Sequence, residues 1–305
     1  MAGLATFLGR HVAEAAIRRS PSRGGPFGTP AGSDSFFLLS RVLAVRDVFH
    51  AIITPMTNGE SERGTVFRPF GTAPSAGRGE ILRVLGRSEN ANSVVDQILV
   101  SVGTAIVEAR LRPGDDLNSV ELARTFQSSR TPVREALLTL EREGLVEITA
   151  HRRPRVRRLL LDEVREIYEL RATLYAMVSR RIAHNATESD LSILRESQRQ
   201  LEAAAEAGDV DGYFWQNVRF RNNEAVIAGN GTVRRVLDSM GVRTLQLRHL
   251  SLSLPGAVRS SVADHSRLLR AYEDHEPDLA AALTQAIVRR GLRAIEGSGW
   301  TGRPE

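Results

Sequence analysis

Apolar positions along the chain fall into two regimes. From Ser93 onward, Val94, Val95, Ile98, Leu99, Val102, Ile106 and Val107 recur at three-four spacing, which predicts a helix over about 93–110. Arg112-Pro113-Gly114 stops it. A second, short helix is expected after Asn118, with Leu122, Ala123 and Phe126 on its buried side and Glu121 placed to complete a capping box. A third follows over about Ser129–Glu143, where Pro132 lies in a first turn that has no hydrogen bond to lose. Its geometry puts Val133, Ala136, Leu137 and Leu140 on one face and Arg130, Thr131, Arg134, Leu138 and Arg142 on the other. Leu145–Thr149 and Val156–Leu160 then read as two strands joined by an arginine-rich turn.

Downstream, the three-four pattern divides into helices at about 163–184, 188–207, 210–228, 231–253, 259–274 and 277–296, with Thr187, Asp209 and Pro277 marking starts. Six antiparallel helices with short connections make a bundle whose centre can hold a ligand. The fold class is therefore mainly α, with an N-terminal winged helix-turn-helix of three helices and a β-hairpin at 91–160. An all-helical domain at 161–298 and a tail at 299–305 follow. Gly229-Asn230-Gly231 has no strand before it, so it is a helix junction rather than a phosphate loop.

Residues 1–90 follow no such period. Ser20–Ser33 and Thr72–Gly79 have linker composition, and the apolar stretch Phe36–Ile53, helical by pattern, is too short for a core and interrupted by Arg41, Arg46 and Asp47. Met1–Arg19 lacks the apolar run and cleavage site of a secretory signal. The segment is expected to be a largely disordered extension, with Met56 an internal candidate start.

Composition narrows the chemistry. The 305 residues include no cysteine, which removes disulfides, thiolate metal sites and cysteine nucleophiles together. No apolar run approaches the roughly 20 residues that span a bilayer, and a cytoplasmic location is expected. All 41 basic residues are arginine, against 36 acids, for a net charge of +5. His151–Arg158 concentrates five arginines without an acid, a density suited to a polyanion such as DNA. No Ser-His-Asp set and no lysine is present, and no catalytic assignment can be argued.

In a helix-turn-helix the third helix lies in the major groove and its N-terminal residues reach base edges. Arg130 and Arg134 are the expected base readers, since a guanidinium can donate twice to guanine O6 and N7. Thr131 and the neighbouring backbone N–H groups suit phosphate, Arg124 is a phosphate candidate from the second helix, and Arg152, Arg153 and Arg155 on the wing add phosphate contacts.

The run Leu122-Ala-Arg-Thr-Phe-Gln-Ser-Ser-Arg-Thr-Pro-Val-Arg-Glu-Ala-Leu137, followed by Leu140-Glu-Arg-Glu-Gly-Leu145, resembles the DNA-binding domain of GntR-family transcription regulators. Asp162 to about Glu296 resembles, more weakly, the effector domain of the FadR subgroup, the FCD type, with Arg171, Phe214, Phe220, Asn230, His265 and Ala271 in order. The resemblance implies a dimeric repressor on a palindromic operator, sensing a metabolite such as a carboxylate or acyl compound. It marks Arg130, Thr131 and Arg134 as DNA contacts. The wing departs from the family in carrying Arg153 where glycine is usual, so Pro154 is the candidate source of its turn geometry.

Many members of that subgroup bind a divalent metal through an Asp, a His four residues later and two further His. Here Asn217 stands at the aspartate, Arg221 at the first histidine and Ile287 near the last, and His265 alone is kept, so no metal and no other cofactor is expected. Only an unexpected inward register of His249 or His275 would revive one. Arg221 is placed either to bind an effector carboxylate or phosphate, or to pair with a buried acid or turn to solvent. His265 is either an effector contact or a satisfied core histidine. Arg171 and Tyr175, the latter in place of the family's usual glutamate, face the same region by the resemblance. Two rival functions remain: a DNA-binding protein whose bundle only dimerises, and, more remotely, a helical enzyme.

Overall fold

The computed structural model describes residues 75–300, all within one unit, Phe67–Glu305. The expectations for Met1–Arg19, Ser20–Ser33, Phe36–Ile53 and Met56 lie outside the described residues. Eleven helices and one two-stranded sheet are present among them: α1 (Ser75–Val84), α2 (Val94–Val107), α3 (Ser119–Thr125), α4 (Arg130–Arg142), β1 (Val146–Glu147), β2 (Arg155–Val156), α5 (Leu161–Asn185), α6 (Glu188–Glu206), α7 (Val210–Ile227), α8 (Gly231–Ser239), α9 (Gly241–Leu252), α10 (Ala257–Glu273) and α11 (Pro277–Gly297).

Helix α1 corrects the linker reading over Ser75–Gly79 and the extension reading over 75–90, and the rest of both expectations lies outside the described residues. Ile81 and Leu82 are fully buried, and Arg83 donates to Asp238 at 2.7 Å and to Asn222 at 2.9 Å. Gly77 and Gly79 weaken the helix intrinsically, but Gly77 gives the Trp215 indole its place, because a Cβ there would sit 2.7 Å from the ring. Packing overrides propensity.

Helix α2 begins with a capping box in which the Ser93 hydroxyl accepts from the Asp96 N–H and the Asp96 carboxylate accepts from the Ser93 N–H. Asn118 caps α3 by accepting from Val120, and Glu121 does not close the expected box. Val133, Ala136, Leu137 and Leu140 of α4 are buried, as the period required.

The wing is narrower than its sequence pattern. The strands pair antiparallel over two residues each, Val146 with Val156 and Glu147 with Arg155. The backbone of 154–156 is shared with the loop before α3: Leu117 N–H donates to Pro154 O at 2.7 Å, Val156 N–H to Asp115 O at 2.9 Å and Gly114 N–H to Val156 O at 2.8 Å. The hairpin therefore has fewer groups free for a longer ladder. His151, at φ 61°, rather than Pro154 makes the turn, and Arg152 N–H donates back to Thr149 O.

In the bundle Thr187 and Asp209 cap α6 and α7, and Pro277 opens α11, where it has no bond to lose. The expected single helix over 231–253 is two, α8 and α9, because Gly241 takes a left-handed φ of 63°. The bundle has seven helices among the described residues instead of six. Tyr213, Phe214, Phe220 and Tyr272 are fully buried in it, and α5 runs along α11, where Gly291 lets the Tyr168 ring approach.

Candidate nucleic-acid interface and ligand cavity

Arg130, Thr131 and Arg134 occupy the first turn and a half of α4, exposed, and neither arginine is paired with an acid. The Ser129 side chain makes no cap bond. The first-turn N–H groups, which have no partner inside any helix, thus face outward beside two guanidinium groups, an arrangement that attracts an anion through the helix dipole as well. Arg124, near the end of α3, is also exposed and unpaired. The wing arginines divide. Arg152 and Arg153 are exposed and unpaired, whereas Arg155 binds Asp116 at 2.6 Å and Arg157 binds Glu163 at 3.1 Å. The five-arginine run is therefore only partly available to a polyanion.

A cavity of about 300 Å³ opens within the bundle. Arg171 from α5, Asn217 and Arg221 from α7 and His265 from α10 line it. Tyr175 stands behind them: its hydroxyl accepts from Arg248 Nη2 at 3.3 Å, and its ring lies 5.3 Å from the Arg221 guanidinium carbon. Arg248, on α9, also lines the cavity, as do Asp264 and Arg290, and the sequence reading named none of the three. The break at Gly241 resets the helical phase, so the pattern upstream of it did not tell which way Arg248 faces.

His265 is neutral and satisfied. Burial, with Arg221 next in weight, pushes its pKa down to about 3. Its Nδ1–H donates to the Ser261 carbonyl at 2.7 Å, leaving Nε2 to accept from the Asn217 amide at 3.2 Å. Arg221 pairs with the fully buried Glu224 at 2.8 Å, so the buried-acid alternative holds for one of its nitrogens. Tyr272 donates to the other Glu224 oxygen at 2.6 Å, and burial, reinforced by that carboxylate, pushes its pKa up.

The residues present do not fit a divalent cation. The lone pair of His265 is engaged and guanidinium groups converge where ligands would stand, and among the described residues no cluster of three or more His, Cys, Asp or Glu is arranged for a metal. His249 instead binds Asp211 at 2.7 Å, and His275 donates to the Ala183 carbonyl at 2.9 Å.

Head and bundle are joined through α9, which packs on α2, through the Arg157–Glu163 pair, and through α7. Trp215 Nε1 donates to Glu108 at 2.9 Å and Asn222 pairs with Arg83 on one side of this helix, while Asn217 and Arg221 enter the cavity on another.

A winged helix-turn-helix with unpaired arginines exposed on its third helix, carried on a helical bundle with a polar cavity, is the build of a DNA-binding transcription regulator. The chain belongs to the GntR family: the bacterial regulatory protein, gntR family, profile matches residues 95–156 and the FCD domain profile matches 166–290. It is 26% identical over 200 residues to the HTH-type transcriptional repressor RspR of Escherichia coli, covering 64% of this chain and 88% of that protein. It is 27% identical over 205 residues to a probable D-xylose utilization operon transcriptional repressor of Paenarthrobacter nicotinovorans, covering 67% and 88%. The fold is shared with E. coli McbR/YncC, at a TM-score of 0.59 and 22% identity over 68% of this chain and 99% of that one. No helix among the described residues is long and apolar enough to cross a membrane.

Proposed function

We propose that this protein is a metabolite-responsive repressor of the FadR subgroup that acts in the cytoplasm as a homodimer. Two reading heads engage half-sites of a palindromic operator related by the two-fold axis of the dimer. The observation that carries the DNA reading is the exposed first turn of α4, where Arg130 and Arg134 stand unpaired beside N–H groups that no side chain caps. In the assignment of roles, Arg130 and Arg134 read bases, while Thr131, Arg124, Arg152 and Arg153 position the backbone. Arg155 contributes less, because it already holds Asp116. The head is taken as residues 91–160, with α1 docked against it, and the sensor as 161–298.

Arg171, Tyr175, Asn217, Arg221 and His265 surround the effector site, which takes an anionic metabolite such as a carboxylate. Effector binding shifts the placement of the heads only by favouring one arrangement over the other. The reading of the bundle as dimeriser alone is disfavoured by the Arg171 Nη1 atom, which is buried in the cavity region without a hydrogen-bond partner.

Footprinting of the full chain on DNA upstream of its own gene tests this reading. Two protected tracts centred about 10 base pairs apart, or a multiple of that, are expected. A single tract, or none, contradicts the two-fold arrangement.

A further inference from the structure

Three guanidinium groups from three helices meet at the cavity, each almost wholly removed from water: Arg171 is 5% exposed, Arg221 4% and Arg248 8%. The acids nearby do not match them. Glu224 answers Arg221, and Asp264 is held by Arg290 at 2.6 Å. Arg171 and Arg248 have no carboxylate partner. The Arg171 guanidinium lies over the rings of Tyr168 at 4.9 Å and Tyr175 at 5.9 Å, and its Nη1 makes no hydrogen bond. Arg248 has a single long bond to a neutral phenol, and its pKa falls to about 10 through burial and then through the repulsion of Arg171 and Arg221. It is still charged at neutral pH.

Two uncompensated cations in an interior are unfavourable unless something answers them. We propose that the cavity is a metal-independent receptor for a small dianion, a dicarboxylate or a phosphomonoester, clamped by Arg171 and Arg248 with Arg221 as the third donor. This rests on the reading of the cavity as the effector site and adds to it the charge of the ligand, the absence of a bridging metal, and Arg248. Planar guanidinium groups suit both classes because each offers paired N–H donors to two oxygens. Neutral His265 adds no charge to the site. At about 300 Å³ the cavity is of a size for a small organic ligand.

The test is thermal unfolding of the full chain in EDTA at constant ionic strength, with succinate, inorganic phosphate, acetate or succinamide, for the wild type, Arg248→Met and Arg171→Met. The wild type is expected to gain several degrees from succinate or phosphate, whichever class fits, and little from acetate or succinamide. Each variant is expected to lose that gain while its unliganded Tm stays equal or rises, since a buried unmatched charge has gone. A purely structural arginine would instead lower the unliganded Tm. Equal shifts from succinamide and succinate, no shift from either dianion, a shift that needs added divalent metal, or a ligand shift retained in Arg248→Met would each overturn the proposal. Operator binding measured in parallel separates the two readings. A dianion that stabilises the chain through Arg248 without altering DNA affinity keeps the site and removes the metabolite-responsive function. A neutral compound that releases DNA while dianions do nothing keeps that function and removes the dianion.

Discussion

Arg134 and Arg153 have the same side chain and are both exposed, but one stands on the reading helix and the other on the tip of the wing. Arg134→Ala is expected to cost about 1–3 kcal/mol on the operator and to relax preference at one base pair. Arg153→Ala is expected to weaken all sequences alike and to lower the salt slope of binding by about one. Salt titrations on operator and random DNA decide between these roles, and equal losses from both changes on both DNAs would refute them. His265 gives a prediction in pH. Its folded pKa of about 3 lies below the ordinary value of 6.5, so between the two the unfolded chain holds a proton that the folded chain does not. Its contribution is complete above pH 6.5 and is lost as pH falls from there towards 3. Tm measured across this window should fall less steeply in His265→Gln than in the wild type, and identical slopes would show that the imidazole is not buried neutral. The arginines of α4 were legible as a face because periodicity on a single helix determines exposure. The pairing of Arg155 with Asp116 was not, because it joins residues 39 apart.

Elements were legible where caps and period agreed. Asn118, Thr187 and Asp209 start helices as their side chains dictate, each accepting from a first-turn N–H. Two elements escaped for reasons of packing. Helix α1 contains two glycines and only a short apolar pattern, and its order comes from Ile81, Leu82 and the contact of Gly77 with Trp215, which lies far along the chain. The division of α8 from α9 depends on a single left-handed glycine inside an otherwise continuous period. The importance of α1 is measurable. Ile81→Ala should destabilise the chain by about 2–5 kcal/mol in urea unfolding, an effect that a mere extension would not show. Glu224→Gln, which leaves buried Arg221 without its anion, should cost about 3–5 kcal/mol by the same assay. A change below 1 kcal/mol would mean that Arg221 finds another partner.

Across the whole molecule, α7 and α9 both meet the two functional regions: α7 places Trp215 towards the head and Asn217 and Arg221 towards the cavity, and α9 packs on α2 and lines the cavity with Arg248. A ligand that pulls Arg221 acts on the same rigid rod that carries the Trp215 bond to Glu108. Trp215→Phe keeps a ring but removes that bond, so it should leave ligand affinity within about threefold, well inside 1 kcal/mol, while reducing the effect of ligand on DNA binding. The family was legible from the run around α3 and α4, where the chemistry of DNA reading confines the sequence. The charge state of the cavity was not, because it is set by charged residues from five separate helices. The central claim is sequence-specific DNA recognition by the α4 arginines, and fluorescence anisotropy of the full chain addresses it most directly. DNA from immediately upstream of its own gene is compared with a shuffled duplex near physiological salt. The account predicts a preference of about a thousandfold or more for the upstream DNA; equal, weak binding to both duplexes would contradict it.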